Sequence, residues 1–290
     1  MKIAIVTDST AYLSAAECAK NQITIVPMPV IMADQVYQEG VDLTTSEFYR
    51  RLRTETTLPS TSQPAIGELL RLYENLGNAG YDIVLSIHLA STLSGFYNTL
   101  KSAVNQVKNT RVIPYDSGIT VKLMGYMAIY AARLAKAGSP INEIIQRLDQ
   151  LKQQINEVFI VNDLKNLVRG GRLSNTSAVI GTMLKVKPLL TFDDQSNKIV
   201  LFEKIRSLKR AYRRAEEIFA TDFVQSAQPL RLIIIHANDE PAALAWQAEI
   251  QAKYPQLVTE ISYFGPVIGT HLGESAIALA WLPDIYQLKD

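Results

Sequence analysis

The chain has a single cysteine, Cys18, among 290 residues. That excludes an internal disulfide and a cysteine-based metal cluster, and it fits a reducing, cytoplasmic setting. A dominant charge sign is also absent. Lys and Arg number 29 against 28 Asp and Glu, a net charge of +1. General basicity therefore does not point to a nucleic-acid partner. No apolar run reaches the roughly 18 to 20 residues of a membrane span. The start, Met1-Lys-Ile-Ala-Ile-Val-Thr-Asp-Ser9, reads as a strand entering a loop and turns polar too quickly for a signal peptide. Histidine is scarce. His88, His236 and His271 lie far apart and none belongs to an H-E-x-x-H pair, so no metal is expected. There is no G-x-x-x-x-G-K-S/T loop, no G-x-G-x-x-G opening a helix after a strand and no G-x-S-x-G elbow. A P-loop ATPase, a dinucleotide enzyme and an elbow-type hydrolase are thereby disfavoured, and no cofactor is expected.

What is present is alternation. Apolar strand-like runs over 3–6, 23–31, 83–87 and 111–115 interleave with helical periodicity over 45–53, 64–76, 94–107 and 120–137. This order predicts a mostly parallel sheet with helices on both faces. Thr44-Thr-Ser-Glu47 has the form of a capping box. Pro64 suits the first turn of its helix. Gly138-Ser-Pro140 interrupts the pattern before a further helix over 141–155. A second set then begins, with a strand over 158–161 and helices over 163–168 and 176–184. A hairpin over 187–192 and 198–205 follows, then alternating helix and strand from 207 to 263. The expected organisation is an N-terminal α/β domain over 1–156 and a C-terminal α/β domain over 157–290. A cleft at the carboxyl ends of the strands is the default ligand site of such folds.

Two segments carry unusual hydroxyl density. Leu58-Pro-Ser-Thr-Ser-Gln-Pro64 precedes one predicted helix. Ala90-Ser-Thr-Leu-Ser-Gly-Phe96 follows the apolar run Asp82-Ile-Val-Leu-Ser-Ile-His88 and precedes another. Strand, Ser/Gly-rich loop and helix is the order that leaves backbone N–H groups for an anion, and hydroxyls there add donors. Neither loop brings a strong nucleophile, a metal set or a phosphate lysine. Thr61, Ser62 and Ser94 are equally explained, on these residues alone, as caps and turn formers. The stripe Leu123, Met124, Met127, Tyr130, Ala131 and Leu134 reads as core, and the basic run Lys209-Arg-Ala-Tyr-Arg-Arg214 as a solvated face.

A set of landmarks in fixed order nevertheless resembles one family. They are Thr7-Asp-Ser-Thr10, Pro59-Ser-Thr-Ser-Gln-Pro64, Ser91-Thr-Leu-Ser-Gly95, Asp116-Ser117 and Leu164-Lys-Asn-Leu-Val-Arg-Gly-Gly-Arg-Leu-Ser174. Lys187-Pro-Leu-Leu190, Lys204-Ile-Arg206 and Gly269-Thr-His-Leu-Gly273 complete the set. Over nearly its whole length the chain resembles the DegV family of bacterial fatty-acid-binding proteins. The resemblance implies two α/β domains with a long-chain fatty acid, such as hexadecanoate, in a cleft or tunnel between them. It implies that Thr61 and Ser94 hold the carboxylate, with Ser62 and Gly95 beside them and His271 near the head group. Some members are the carrier subunits of a fatty acid kinase. A separate kinase subunit phosphorylates the bound acid for phospholipid metabolism, and Arg169, Arg172 and Arg206 fall in segments linked to that partner step. The chain departs from the usual pattern in two places. Gly273-Glu-Ser-Ala-Ile-Ala278 replaces a glycine-rich stretch, which puts the carboxylate of Glu274 there, and Phe96 stands where Thr is commoner. Two other readings compete with a kinase-serving carrier. One is an autonomous phosphotransferase or hydrolase of dihydroxyacetone-kinase-like fold. The other is a lipid store or sensor without phosphotransfer.

Overall fold

The computed structural model describes residues 1–162, 164–174 and 186–288. The helix expected over 176–184 lies outside the described residues. The chain divides into two compact units. The first comprises Met1–Leu43, Thr61–Gln154 and Leu288, and the second Thr44–Ser60 and Ile155–Gln287. The segment Thr44–Ser60, read from sequence as part of an N-terminal domain, packs in the second unit.

The first unit is built on a four-stranded parallel sheet. Its strands are β1 (Ile3–Asp8), β2 (Ile23–Val26), β6 (Ile83–His88) and β7 (Arg111–Asp116), in the order β2-β1-β6-β7. The single strand expected over 23–31 is two strands. Pro27 and Met28 separate β2 from β3 (Pro29–Met32), which turns back through Ala33 and Asp34 into β4 (Gln35–Gln38). Both turn residues have positive φ, 46° and 62°, as a tight antiparallel hairpin requires. β5 (Ser60–Thr61) adds to this small sheet, whose order is β4-β3-β5.

Helices of this unit are α1 (Ala15–Asn21), α3 (Ile66–Asn78), α4 (Phe96–Ala103), α5 (Val121–Ala137) and α6 (Ile141–Lys152). A capping box forms at Ser14 and Glu17, ahead of α1, which the sequence pattern did not flag. α5 packs along β1 and buries every residue from Val121 to Ala132, the mark of a helix enclosed on all sides. All six residues of the apolar stripe are within that core. Lys122 is buried among them and is neutralised by Glu17 at 2.6 Å. α5 ends at Gly138, whose φ of 90° closes the last turn.

The second unit has a six-stranded mixed sheet of order β10-β9-β8-β13-β11-β12. The strands are β8 (Asn156–Ile160), β9 (Lys187–Phe192), β10 (Ile199–Ile205), β11 (Leu230–His236), β12 (Val258–Tyr263) and β13 (Ile277–Pro283). Among the described strands of this sheet only β11 and β12 pair in parallel. The last strand, β13, enters between β8 and β11 and runs antiparallel to both. α8 (Leu208–Gln225) and α9 (Glu240–Lys253) cover the sheet with a core of Val158, Ile160, Leu232, Ile234, Phe219, Trp246 and Trp281. Both indole N–H groups are satisfied, Trp246 by Glu216 at 2.8 Å and Trp281 by Asp222 at 2.9 Å.

α2 (Thr45–Thr54) joins this unit through its aromatic face. Phe48 and Tyr49 are fully buried against α10 (Pro266–Leu272), and the Tyr49 hydroxyl donates to the Phe264 carbonyl at 2.8 Å. Thr44 caps α2 by accepting from the Glu47 N–H at 3.2 Å, which is half of the expected box.

Candidate functional site

In the first unit the run from β6 into α4 forms a tightly tied loop. Leu93 and Ser94 donate their N–H groups to the Ala90 carbonyl, and the Ala90 N–H reaches the Ile119 carbonyl at 2.8 Å. Asp116, at the end of β7, accepts from the N–H groups of Ser91 at 3.1 Å and Gly118 at 3.0 Å. Ser94 is half-buried and its Oγ accepts from the Phe96 N–H at 3.2 Å. Acceptance there leaves the hydroxyl proton of Ser94 for a different acceptor. Gly95 opens α4 without a side-chain cap of its own.

The other hydroxyl-rich segment is placed differently from its sequence reading. Thr61 lies on the short strand β5, and Ser62 donates its N–H to the Pro29 carbonyl at 3.2 Å. α3 begins only at Ile66, with Ala65 as its N-cap and no side-chain cap bond. Thr61 and Ser62 are therefore strand-end residues, and Pro64 precedes the helix instead of occupying its first turn. The two segments still meet. Gln63 packs on Gly95, its Nε2 2.8 Å from where a Cβ at that position would stand. A larger residue at 95 would have to displace the Gln63 amide.

In the second unit His271, Arg169 and Arg172 come together. α7 (Lys165–Arg169) ends in the Arg169-Gly-Gly-Arg172 segment. Gly171 has φ of 69° and donates to the Val168 carbonyl, while Arg172 N–H reaches back to the Leu167 carbonyl at 3.0 Å. These two bonds are the Schellman pair, so the glycines end the helix and set Arg172 just beyond it. The Arg172 guanidinium also bonds the Gly170 carbonyl. His271, in the last turn of α10, packs on Gly170, with Nδ1 2.7 Å from where a Cβ would stand. Burial first, then the charges of Arg172 and Arg169, pull its imidazole down from 6.5 to about 4. His271 is thus neutral at pH 7 and sits in a positive field. Glu274 is turned to Arg53, which bonds both its carboxylate oxygens, and to Asn238. That pairing holds its carboxyl below the usual range. Arg206 is exposed between β10 and Ser207, the cap of α8.

The sequence reading missed a buried polar chain behind the first loop. Asp8, His88, Ser86 and Tyr73 are all fully buried. His88 Nδ1 lies 3.0 Å from Asp8, His88 Nε2 2.7 Å from Ser86 Oγ, and Ser86 Oγ 2.8 Å from the Tyr73 hydroxyl. The available signal was a serine and a histidine two apart on an otherwise apolar strand, which places both on one face.

Fold and site define a two-unit α/β protein in which the hydroxyl-rich loop after β6 of the parallel sheet meets the segment after β5, with a histidine–arginine cluster in the second unit. The chain belongs to the DegV family: the family model described as "Uncharacterised protein, DegV family" matches residues 2–284. A DegV domain-containing protein of Listeria monocytogenes is 44% identical over 280 residues, covering 97% of this chain and 98% of that one. DegV of Bacillus subtilis, whose crystal structure is described as that of a fatty acid binding protein, superposes with a TM-score of 0.90 at 44% identity, covering 98% of this chain and 100% of that one. A fatty acid binding DegV family protein of Streptococcus agalactiae gives a TM-score of 0.90 at 33% identity, covering 98% and 99%. Among the described residues no helix is long and apolar enough to cross a membrane.

Proposed function

We propose that this chain binds a long-chain fatty acid, with Thr61 and Ser94 holding the carboxylate beside Ser62 and Gly95. The observation that carries the reading is the meeting of the two hydroxyl-rich loops through Gln63 and Gly95, in a family whose members of known structure include fatty acid binding proteins. Ser94 retains a proton to donate, and neither loop brings a cation or a strong nucleophile. Such a site holds an anion without transforming it. A neutral hydroxyl hydrogen bond contributes only about 0.5–1.5 kcal/mol net. Burying a tail contributes about 0.8 kcal/mol per methylene. The tail therefore dominates affinity, while the hydroxyls select the head group.

The chain acts in this reading as a carrier that presents its ligand to a separate kinase subunit, and the second cluster serves that step. Arg169 and Arg172 offer fixed positive charge for phosphoryl oxygens, and His271 offers a neutral imidazole beside them. Arg206 is an exposed cation available to a partner.

Native mass spectrometry of the purified protein tests the binding reading, followed by titration of the delipidated protein with acids of eight to eighteen carbons. A co-purified mass matching a long-chain acid is expected, with affinity rising about three- to four-fold per carbon. A flat series, or tighter binding of a dicarboxylic acid, would refute it. Adding a kinase subunit and ATP separates a carrier from a store, since only a carrier then yields acyl-phosphate. Arg172→Ala and His271→Ala should keep the lipid and lose most of that turnover.

A further inference from the structure

The two head-group loops do not hang on their own turns alone. Asp8 and His88 are the last residues of β1 and β6, the two central strands of the parallel sheet. Asp8 accepts four hydrogen bonds. Thr10 gives its N–H at 3.1 Å and its hydroxyl at 2.6 Å to one carboxylate oxygen. His88 Nδ1 at 3.0 Å and the Leu89 N–H at 3.1 Å bond the other. Leu89 is the first residue of the loop that leads to Ser94. The ring of His88 packs on that of Phe96 with centroids 4.4 Å apart, and Phe96 is the residue whose N–H the Ser94 hydroxyl accepts. On its other side His88 Nε2 meets Ser86 Oγ, which meets Tyr73 on α3, the helix that the Thr61 segment enters. A chain of buried contacts, polar from Tyr73 to Asp8 and aromatic from His88 to Phe96, thus begins on the helix after Thr61 and ends on the residue tied to Ser94.

Four polar side chains in a core are expensive compared with apolar residues of the same shape. What a fully paired buried network supplies instead is one defined geometry. We propose that Tyr73, Ser86, His88 and Asp8 are positioning residues for carboxylate recognition, fixing the Ser94 hydroxyl relative to the Thr61 segment. This rests on the head-group reading above. With the proton of His88 on Nδ1, each donor points the same way. Tyr73 donates to Ser86, Ser86 to His88 and His88 to Asp8, so no rotamer of either hydroxyl is left undecided. The Asp116 bonds to Ser91 and Gly118 fix the same loop from β7.

The test uses the full-length, delipidated protein and displacement of a fluorescent fatty acid by hexadecanoate and by methyl hexadecanoate. Thermal denaturation is recorded for every variant. In Asp8→Asn and His88→Leu the preference for acid over ester should fall at least ten-fold, while the fold-change per methylene along an ester series stays at the wild-type value. His88→Asn, which keeps an N–H at the Nδ1 position for Asp8, should recover much of the preference. A network that merely fills the core would weaken acid and ester equally and leave their ratio unchanged, and that result overturns the proposal. If the stronger variants do not fold, Tyr73→Phe and Ser86→Ala decide, because each removes one hydroxyl. An unchanged ratio in both is equally fatal. Thr61→Ala with Ser94→Ala serves as reference. If that pair loses the preference and the network variants keep it, the positioning role alone fails. If the pair keeps it, the head-group reading fails and takes the positioning role with it.

Discussion

Replacing Glu157 by glutamine should stabilise the protein above pH 7 and leave it nearly unchanged at pH 4. Glu157 is on β8 and is 9% exposed. One of its carboxyl oxygens, Oε1, accepts both the Thr191 hydroxyl at 2.9 Å and the Phe192 N–H at 2.8 Å. Burial raises its pKa from 4.5 to about 7, against the two hydrogen bonds and with a small push from Asp194. Between those values the folded protein binds a proton that the unfolded chain has released. Stability from this group is therefore complete below pH 4.5 and is lost as pH rises through 7. At 1.36 kcal/mol per pH unit the gap corresponds to roughly 3 kcal/mol, and relaxation around a buried carboxylate brings the expected effect to about 2 kcal/mol. Glutamine keeps the accepting oxygen and removes the titration. Thermal denaturation by circular dichroism, from pH 4 to 9, should show the variant's advantage growing between pH 5 and 8 to about 4 °C, at roughly 2 °C per kcal/mol for a chain of this size. An advantage independent of pH, or one that grows as pH falls, would refute the reasoning.

Two further outcomes follow from the second unit. His271 should show no imidazole titration by NMR between pH 6 and 8. Arg172→Ala should raise its midpoint only part of the way to 6.5, because burial is the larger cause. The sign for stability is opposite to that of Glu157: the His271 contribution is present above pH 6.5 and is lost as pH falls toward 4. A midpoint above 6 in the wild type would contradict the packing described. Gly269→Ala places a Cβ 2.6 Å from the Tyr49 hydroxyl and 2.9 Å from the Phe48 ring, where Tyr49 is already held by Phe264. Overpacking should cost about 1–3 kcal/mol, more than the helix propensity gained. An unchanged midpoint of chemical denaturation would mean that α2 is not held against α10 there.

Sequence alone reached the order of β6 and β7 in the first unit because each is a short apolar run followed by a clear helical period, whereas α1 between β1 and β2 went unread. It reached the β9–β10 hairpin because Asp193-Asp-Gln-Ser-Asn197 separates two strand-like runs, and Asn197 takes the positive φ that such a turn needs. It missed β13, whose seven residues are all buried, because an apolar run rich in Ala and Leu with a single β-branched residue, Ile277, does not separate a strand from a buried helical segment. It assigned residues 44–60 to the wrong neighbourhood because the helix period of α2 says nothing of its partner. The packing of Phe48 and Tyr49 on α10 and the Arg53–Glu274 pair show it. Hydroxyl density drew attention to two segments that the fold brings into contact through Gln63 and Gly95. Their mode was misjudged at Thr61, where pairing with β3 prevails over helix capping. The Asp8–His88 chain was hidden because Ser86 and His88 interrupt an apolar run without breaking the strand.

The central claim is that Thr61 and Ser94 recognise a carboxylate at the end of a long acyl chain. Isothermal titration of the delipidated wild type and of the Thr61→Ala, Ser94→Ala double variant, each with hexadecanoate and with its methyl ester, tests this most directly. The expected result is a clear preference for the acid in the wild type that disappears in the double variant, with ester affinity unchanged. A double variant that discriminates acid from ester as the wild type does would contradict the account.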